Sequence, residues 1–189
     1  MSHKKNILHT YHQDSVYSSP WTIKDRVRML LWDVSWSIMC RWTPKPMNGW
    51  RLILLKMFGA KIHGRPFVHQ RARIAIPWNI TLHDRACLGD SAVAYSLGEI
   101  ELMQDATVAQ EAYLCTGTHD FSHKARPLQT GRIVVGQSAF VGARAFVMPG
   151  VTIGSGAVVG ACSLVTKDVQ VNTCVVGNPA SIIRSSEFS

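Results

Sequence analysis

The 189-residue chain has no Cys-x-x-Cys pair, no run of five Lys or Arg, and no apolar stretch long enough to span a membrane. Each absence excludes something. Cys40, Cys87, Cys115, Cys162 and Cys174 are odd in number and lack metal or redox spacing. They read as small buried apolar residues of a reducing compartment. The longest apolar stretch, Met29 to Cys40, carries Asp33 in its middle and falls short of the roughly 20 residues a membrane helix needs. The opening MSHKKNILHTYHQDS holds no apolar secretion core followed by a small-residue cleavage site. A cytoplasmic protein is expected, one able to touch an anionic membrane peripherally. Lys and Arg outnumber Asp and Glu by 20 to 12, a formal net charge of +8. These cations are scattered, which argues against nucleic acid and fits a phosphate-bearing small molecule.

What the chain does have is a repeat. From Val135 it reads VGQSAF, VGARAF, VMPGVT, IGSGAV, VGACSL, VTKDVQ. Val or Ile recurs every sixth residue at Val135, Val141, Val147, Ile153, Val159 and Val165. Four places after each comes a small or β-branched residue, from Ala139 to Val169. Helices need apolar spacing of three and four, and lone strands need alternation. Period six fits a short strand and a turn wound around a triangular coil of about 18 residues, with neighbouring coils paired as parallel strands. Glycines follow the aliphatic residue at Gly136, Gly142, Gly154 and Gly160, where corners favour backbone angles costly to other residues.

Upstream the phase continues through Ile62, Val68, Ile74, Ile76, Leu82, Leu88, Ala94, Leu102, Val108 and Leu114, with two-residue slips near Ala75 and Leu97. It fails between Leu114 and Ile133, so residues 115–132 read as a loop thrown out of the stack, the usual carrier of chemistry. Before the repeat, Val27, Leu30, Leu31, Val34, Leu52, Leu55 and Met57 lie at helical spacing, and Pro44 and Pro46 divide the segment into two helices. Their aromatic-rich face is expected on the solenoid or at a subunit contact; Lys24, Arg26, Arg28 and Arg41 leave an interfacial membrane helix as the alternative. The organisation that follows is a flexible N-terminus (1–20), a helical segment (21–60), a solenoid (61–170) and a C-terminal tail (171–189).

Tandem hexapeptides followed by VTKDV and VVGNPASIIR resemble the β-helix acyltransferases. AYLCTGTHDFSHKARPL, joined to the repeat, is similar to the colanic-acid-type polysaccharide O-acetyltransferases, relatives of the maltose, galactoside and nodulation-factor acetyltransferases. FGAKIHG before the repeat fits the same branch. The resemblance implies an all-β fold, a left-handed parallel β-helix of hexapeptide repeats with an N-terminal helical segment. It also implies a homotrimer with acetyl-CoA lying in the groove between two solenoids, a saccharide acceptor and no metal.

His119 opens the out-looped segment and matches the family's catalytic histidine. Acetyl transfer from a thioester to a hydroxyl needs a base for the hydroxyl proton, and imidazole suits that task near neutral pH. Asp120 or Glu111 could orient the ring; Asp120 could equally contact the acceptor or cap the loop. The thioester oxygen needs a donor as charge develops on it. In the family a backbone N–H supplies it, at a place matching Gly142–Ala143, while Gly160–Ala161 would let the pantetheine arm lie close. Thr166 and Lys167 in VTKDV, with Arg184 in ASIIR, match the coenzyme contacts. Three departures stand out: Phe140 replaces a common Trp, Ser181 a common Arg, and Ser96, beside Tyr95, an acceptor-binding Asn. Cys115, the thiol nearest His119, is expected to pack rather than react. Two rivals remain: a zinc carbonic anhydrase-like site from His119, His123 and His83, and a non-catalytic solenoid scaffold.

Overall fold

The computed structural model describes residues 8–15 and 17–185. A short strand β1 (His9–Thr10) is followed by helices α1 (Ile23–Met39) and α2 (Asn48–Met57). Thr22 starts α1 with a capping box: its hydroxyl accepts from the Asp25 N–H at 3.2 Å, and the Asp25 carboxylate accepts back from Thr22. Pro44 and Pro46 lie in the connection between the helices, as the sequence predicts.

The solenoid then winds in coils of three strands. The first coil carries β2 (Lys61–Ile62), β3 (Phe67–Val68) and β4 (Arg73–Ile74); the second β5 (Ile80–Leu82), β6 (Cys87–Leu88) and β7 (Val93–Tyr95). The third holds β8 (Ile100–Leu102), β9 (Thr107–Val108) and β10 (Tyr113–Cys115), after which a hairpin of β11 (Gly117–His119) and β12 (Leu128–Thr130) leaves the stack. Coil four is β13 (Ile133–Val135), β14 (Phe140–Val141) and β15 (Phe146–Val147). Coil five is β16 (Thr152–Ile153), β17 (Val158–Val159) and β18 (Leu164–Val165). The sixth closes with a Val169–Ile153 bridge, β19 (Thr173–Gly177) and an antiparallel β20 (Ala180–Ser185).

Stacking makes three parallel faces: face I from β2, β5, β8, β13 and β16; face II from β3, β6, β9, β14, β17 and β19; face III from β4, β7, β10, β15 and β18. Register tells where the period slips. Lys61 pairs with Thr81 and Ile80 with Ile100, a spacing of 20; Ile100 pairs with Ile133, a spacing of 33; Val134 pairs with Thr152, a spacing of 18. The additions near Ala75, near Leu97 and at 116–132 all fall at one corner, where face III turns into face I. There Ile76, Leu97 and Leu128 stack in a small core of their own, with Tyr11 and Trp21 packed against it.

The six aliphatic positions from Val135 to Val165 are buried to 1% exposure or less, as the inward-pointing assignment requires. Each such burial contributes roughly 1.5–3 kcal/mol. The glycines have a different reason from the one expected. Gly142 does not adopt positive φ; a Cβ there would stand 2.7 Å from the Ala161 nitrogen and the Val159 oxygen of the next coil. Positive φ falls two residues later, on Ser138, Arg144 and Cys162. Close coil approach, not backbone freedom, demands the glycine.

The helices cap the open end of the stack. In a parallel ladder alternate residues bond to the two sides, so half the first coil's polar groups meet no strand. Trp32 Nε1 donates to Ile74 O at 2.6 Å and Trp36 Nε1 to Ala72 O at 3.1 Å. Arg51 Nε donates to Val68 O at 2.8 Å. Asn48 imitates a peptide group, donating to Pro66 O at 2.8 Å and accepting from Val68 N at 3.0 Å. The aromatic face of α1 therefore packs on the solenoid, through Trp32 and Trp36.

Two segment expectations are corrected. Within 1–20, described residues engage the out-looped hairpin: β1 pairs antiparallel with β12, and the Gln13 side chain accepts from Leu128 N at 2.6 Å. Residues 173–185 extend face II rather than trail as a tail, because β19 pairs with β17 and β20 covers it. Among the described residues no helix is long and apolar enough to cross a membrane.

Candidate active site

The hairpin β11–β12 leaves the corner between faces III and I, held by Gly117–Thr130 and His119–Leu128 pairing. Thr116 anchors its base, donating to Tyr95 O at 2.6 Å and accepting from Gly98 N at 2.9 Å. Space around Gly117 is tight: a Cβ would meet the Leu97 side chain at 3.0 Å and the Tyr95 ring at 3.3 Å. On this support His119 projects, exposed, at the hairpin edge.

His119 Nδ1 lies 2.8 Å from the Arg126 carbonyl oxygen. A carbonyl can only accept, so Nδ1 carries the proton and Nε2 presents its lone pair. That is the tautomer a general base requires. Arg126, at φ +44, turns its carbonyl across the hairpin. The sequence reading missed it, since a backbone group seven residues on carries no side-chain signal.

Neither proposed carboxylate orients the ring. Asp120 is occupied within the loop: Oδ1 accepts from Ser122 N at 2.9 Å and Ser122 Oγ at 2.6 Å, and Oδ2 pairs with His123 Nδ1 at 3.0 Å. Those bonds, Ser122 foremost, hold its carboxyl below the usual carboxylate range. It therefore takes the loop-capping role, the other reading of its position. Glu111 sits on the corner between faces II and III and pairs with Arg144 Nε at 2.6 Å. Ser96 is corrected too. Its fully buried hydroxyl donates to Ile76 O and accepts from Ile76 N, both at 2.8 Å, and it cannot reach an acceptor. Ser96 stitches an inserted corner to the one before it.

Tyr95 is better placed. With Tyr113 it lines a cleft of about 490 Å³ between α1 and face III, whose polar rim includes Asp33, Arg41, Arg71 and Arg73. Tyr113 continues outward into a stacked contact with Phe146 at 4.9 Å. Burial raises both tyrosine hydroxyls above their ordinary titration range, keeping them as donors. Cys115, bonded to Gly117 O at 3.2 Å, is pushed up by burial and away from the thiolate form, so it packs as expected.

The coenzyme candidates divide between two edges. Gly142, Ala143 and Ala161 form successive corners between faces II and III. Gly142 N is spent on Val159 O at 2.8 Å, whereas Ala143 N has no partner among the described residues. Thr166 and Lys167 lie exposed at the III–I corner, two coils along from His119. Asp168 in the same motif is structural, accepting from Thr152 N at 2.8 Å. Arg184 stands exposed on β20, as does Ser181; Phe140 is exposed on face II. Among the described residues no three His, Cys, Asp or Glu side chains are grouped to hold a metal ion. Within one chain His83 is bonded to Glu101 at 2.8 Å on face I, and His123 to Asp120.

The stacked hexapeptide solenoid places the chain in a class of transferases, as comparison with known proteins shows. The family model Bacterial transferase hexapeptide (six repeats) matches residues 132–167. WcaF of Escherichia coli (strain K12), named for acetyl transfer in colanic acid biosynthesis, is 39% identical over 158 residues, 84% of this chain and 87% of that protein. The chain belongs to the hexapeptide-repeat acetyltransferase family, alongside the colanic acid biosynthesis acetyltransferases. A maltose O-acetyltransferase from Clostridium difficile 630 is similar in structure, with a TM-score of 0.72 and 25% identity over 87% of this chain and 88% of that one. The fold also matches the hexapeptide-repeat acetyltransferase VCA0836 of Vibrio cholerae O1 biovar eltor, solved with acetyl coenzyme A, at a TM-score of 0.73 and 22% identity, covering 85% and 86%.

Proposed function

We propose that this protein is a cytoplasmic homotrimer that moves acetyl from acetyl-CoA to a hydroxyl of a saccharide, an exopolysaccharide unit or its precursor, with His119 as general base. The observation that carries the reading is the His119 ring, locked by the Arg126 carbonyl at 2.8 Å with Nε2 free on an exposed edge. Kinship with a protein named for colanic acid biosynthesis and similarity to a maltose O-acetyltransferase support the saccharide acceptor. The solved acetyl coenzyme A complex of a protein with this fold supports the donor.

In this reading Nε2 takes the proton as the acceptor oxygen attacks the thioester carbonyl. The tetrahedral oxyanion receives the free N–H of Ala143. Collapse breaks the C–S bond, and the imidazolium returns its proton to the departing sulfur. Lys167 and Arg184 hold phosphates by charge-assisted bonds. His119 and Ala143 occupy different edges of the same prism, with face III between them, so one site uses the III–I edge of one chain and the II–III edge of a second. That division supports assembly into a ring of three. Tyr95 serves the acceptor from the cleft beside the hairpin.

The test is His119→Ala, assayed by acetyl-CoA consumption against sugars, nucleotide sugars and lipid-linked oligosaccharides. Transfer should fall by about 10²–10⁴-fold, with coenzyme binding and trimer mass retained. Unchanged turnover would refute the base, and absence of coenzyme binding at millimolar concentration would refute the donor.

A further inference from the structure

Helix α1 is apolar on two opposite sides. One side, Trp32 and Trp36 with Cys40 at the C-cap, is buried on the solenoid. The other carries Ile23, Val27, Leu30, Leu31, Val34 and Ile38, all exposed, Leu30 at 63% and Ile38 at 66%. At the turn of an α-helix these six fall within an arc of roughly 100°, facing away from the buried stripe. A helix that needed only to cap the stack would carry polar residues there.

The exposed strip does not end with the helix. Trp42, 69% exposed, donates its indole N–H to Ile38 O at 2.7 Å, and Trp50 donates to Met39 O at 2.9 Å. Ile53 and Met57 continue it along α2, both exposed and one helical turn apart. A contiguous patch of large aliphatic side chains ending in two part-exposed indoles is beyond what isolated surface residues account for.

Its electrostatic setting identifies the occupant. Between Trp21 and Gly59 stand seven cations, Lys24, Arg26, Arg28, Arg41, Lys45, Arg51 and Lys56, against two acids, Asp25 and Asp33. That segment thus supplies +5 of the chain's +8. Asp25 is engaged at the α1 cap and Arg51 is buried at the solenoid end, while Arg28 donates to Phe58 O at 3.0 Å. Lys24, Arg26, Arg41, Lys45 and Lys56 stay exposed beside the apolar strip. Apolar side chains that enter an acyl layer, indoles that sit at headgroup depth and lysines and arginines that meet lipid phosphates are the parts of an interfacial helix.

We propose that the α1–α2 face docks the protein on an anionic lipid bilayer, lying on it without crossing it. Arg41 belongs both to the end of this face and to the rim of the cleft beside the hairpin, so the cleft opens at the lipid surface. This places the candidate site where acceptors carried by lipid are concentrated. The docking is independent of acetyl transfer and is measured without coenzyme.

Full-length protein is sedimented with vesicles of phosphatidylcholine alone or with about 30% phosphatidylglycerol. Binding is expected only to the anionic vesicles and should weaken as salt rises, because surface attraction is screened within about 10 Å at 0.1 M. The double variant Leu30→Glu/Ile38→Glu should bind at least about tenfold less tightly, with unchanged far-UV circular dichroism and assembly mass. The wild-type salt titration needs no variant and stands if the double variant misfolds. No binding to anionic vesicles, or equal binding to neutral ones, overturns the proposal. A double variant that keeps its far-UV circular dichroism but changes its assembly mass also overturns it, since the face would then contact a second copy.

Discussion

Replacing Arg51 with Met tests whether the helices stabilise the solenoid by satisfying its open end. The buried guanidinium makes four bonds, to Val68 O at 2.8 Å, Thr43 Oγ1 at 2.8 Å, Pro44 O at 3.0 Å and Lys45 O at 3.0 Å. Methionine keeps much of the stem volume and removes every donor. A bond to a charged group is worth about 1.5–3 kcal/mol, but the cost of burying the guanidinium offsets part of the total. Burial indeed lowers the Arg51 pKa. Val68 O has no strand to turn to, so the net loss should be about 3–5 kcal/mol. For a chain of this length each kcal/mol shifts the midpoint by about 2–4 °C, so melting should fall by roughly 6–20 °C. Thermal unfolding at fixed protomer concentration measures it, because assembly couples to stability. Arg51→Lys should recover only part, as one ammonium cannot span the four acceptors. A change below about 0.5 kcal/mol for Arg51→Met would show that the capping bonds do not matter to stability.

Gly142→Ala should cost about 1–3 kcal/mol, because its Cβ meets backbone 2.7 Å away, whereas Gly49→Ala, with open space around it in α2, should stabilise by up to about 1 kcal/mol. Denaturant midpoints for the two variants should move in opposite directions. Glu101 accepts from His83 and pairs with Arg132, and these contacts, His83 first, hold its carboxyl below the usual carboxylate range. The stability it contributes is complete above about pH 4.3 and is lost as pH falls through the lower folded value. Glu101→Gln should therefore be less stable than wild type at neutral pH, with the difference shrinking on acidification; a gap constant with pH would contradict the pairing.

Period six was legible because it is enforced locally: each inward Val or Ile must be buried and each corner must be narrow, whatever lies elsewhere. The slips near Ala75 and Leu97 and the break after Leu114 could be read for the same reason, as could the two helices split by Pro44 and Pro46. His119 stood out as the candidate base because chemistry and resemblance both pointed to the break. Other assignments depended on contacts the linear pattern does not contain. Whether Ser96 faced a ligand or Ile76 was settled by the stacking of corners 20 residues apart, and Asp120 went to Ser122 and His123 rather than to its neighbour. The group bonded to the His119 ring is the Arg126 backbone carbonyl, a group every residue possesses and none advertises. Helical spacing marked Val27, Leu30, Leu31 and Val34 as apolar, but spacing cannot say which of two apolar stripes is buried. Only the unpaired edge of the first coil decided that, by drawing the indoles of Trp32 and Trp36 inward to its carbonyls and leaving the aliphatic stripe outside.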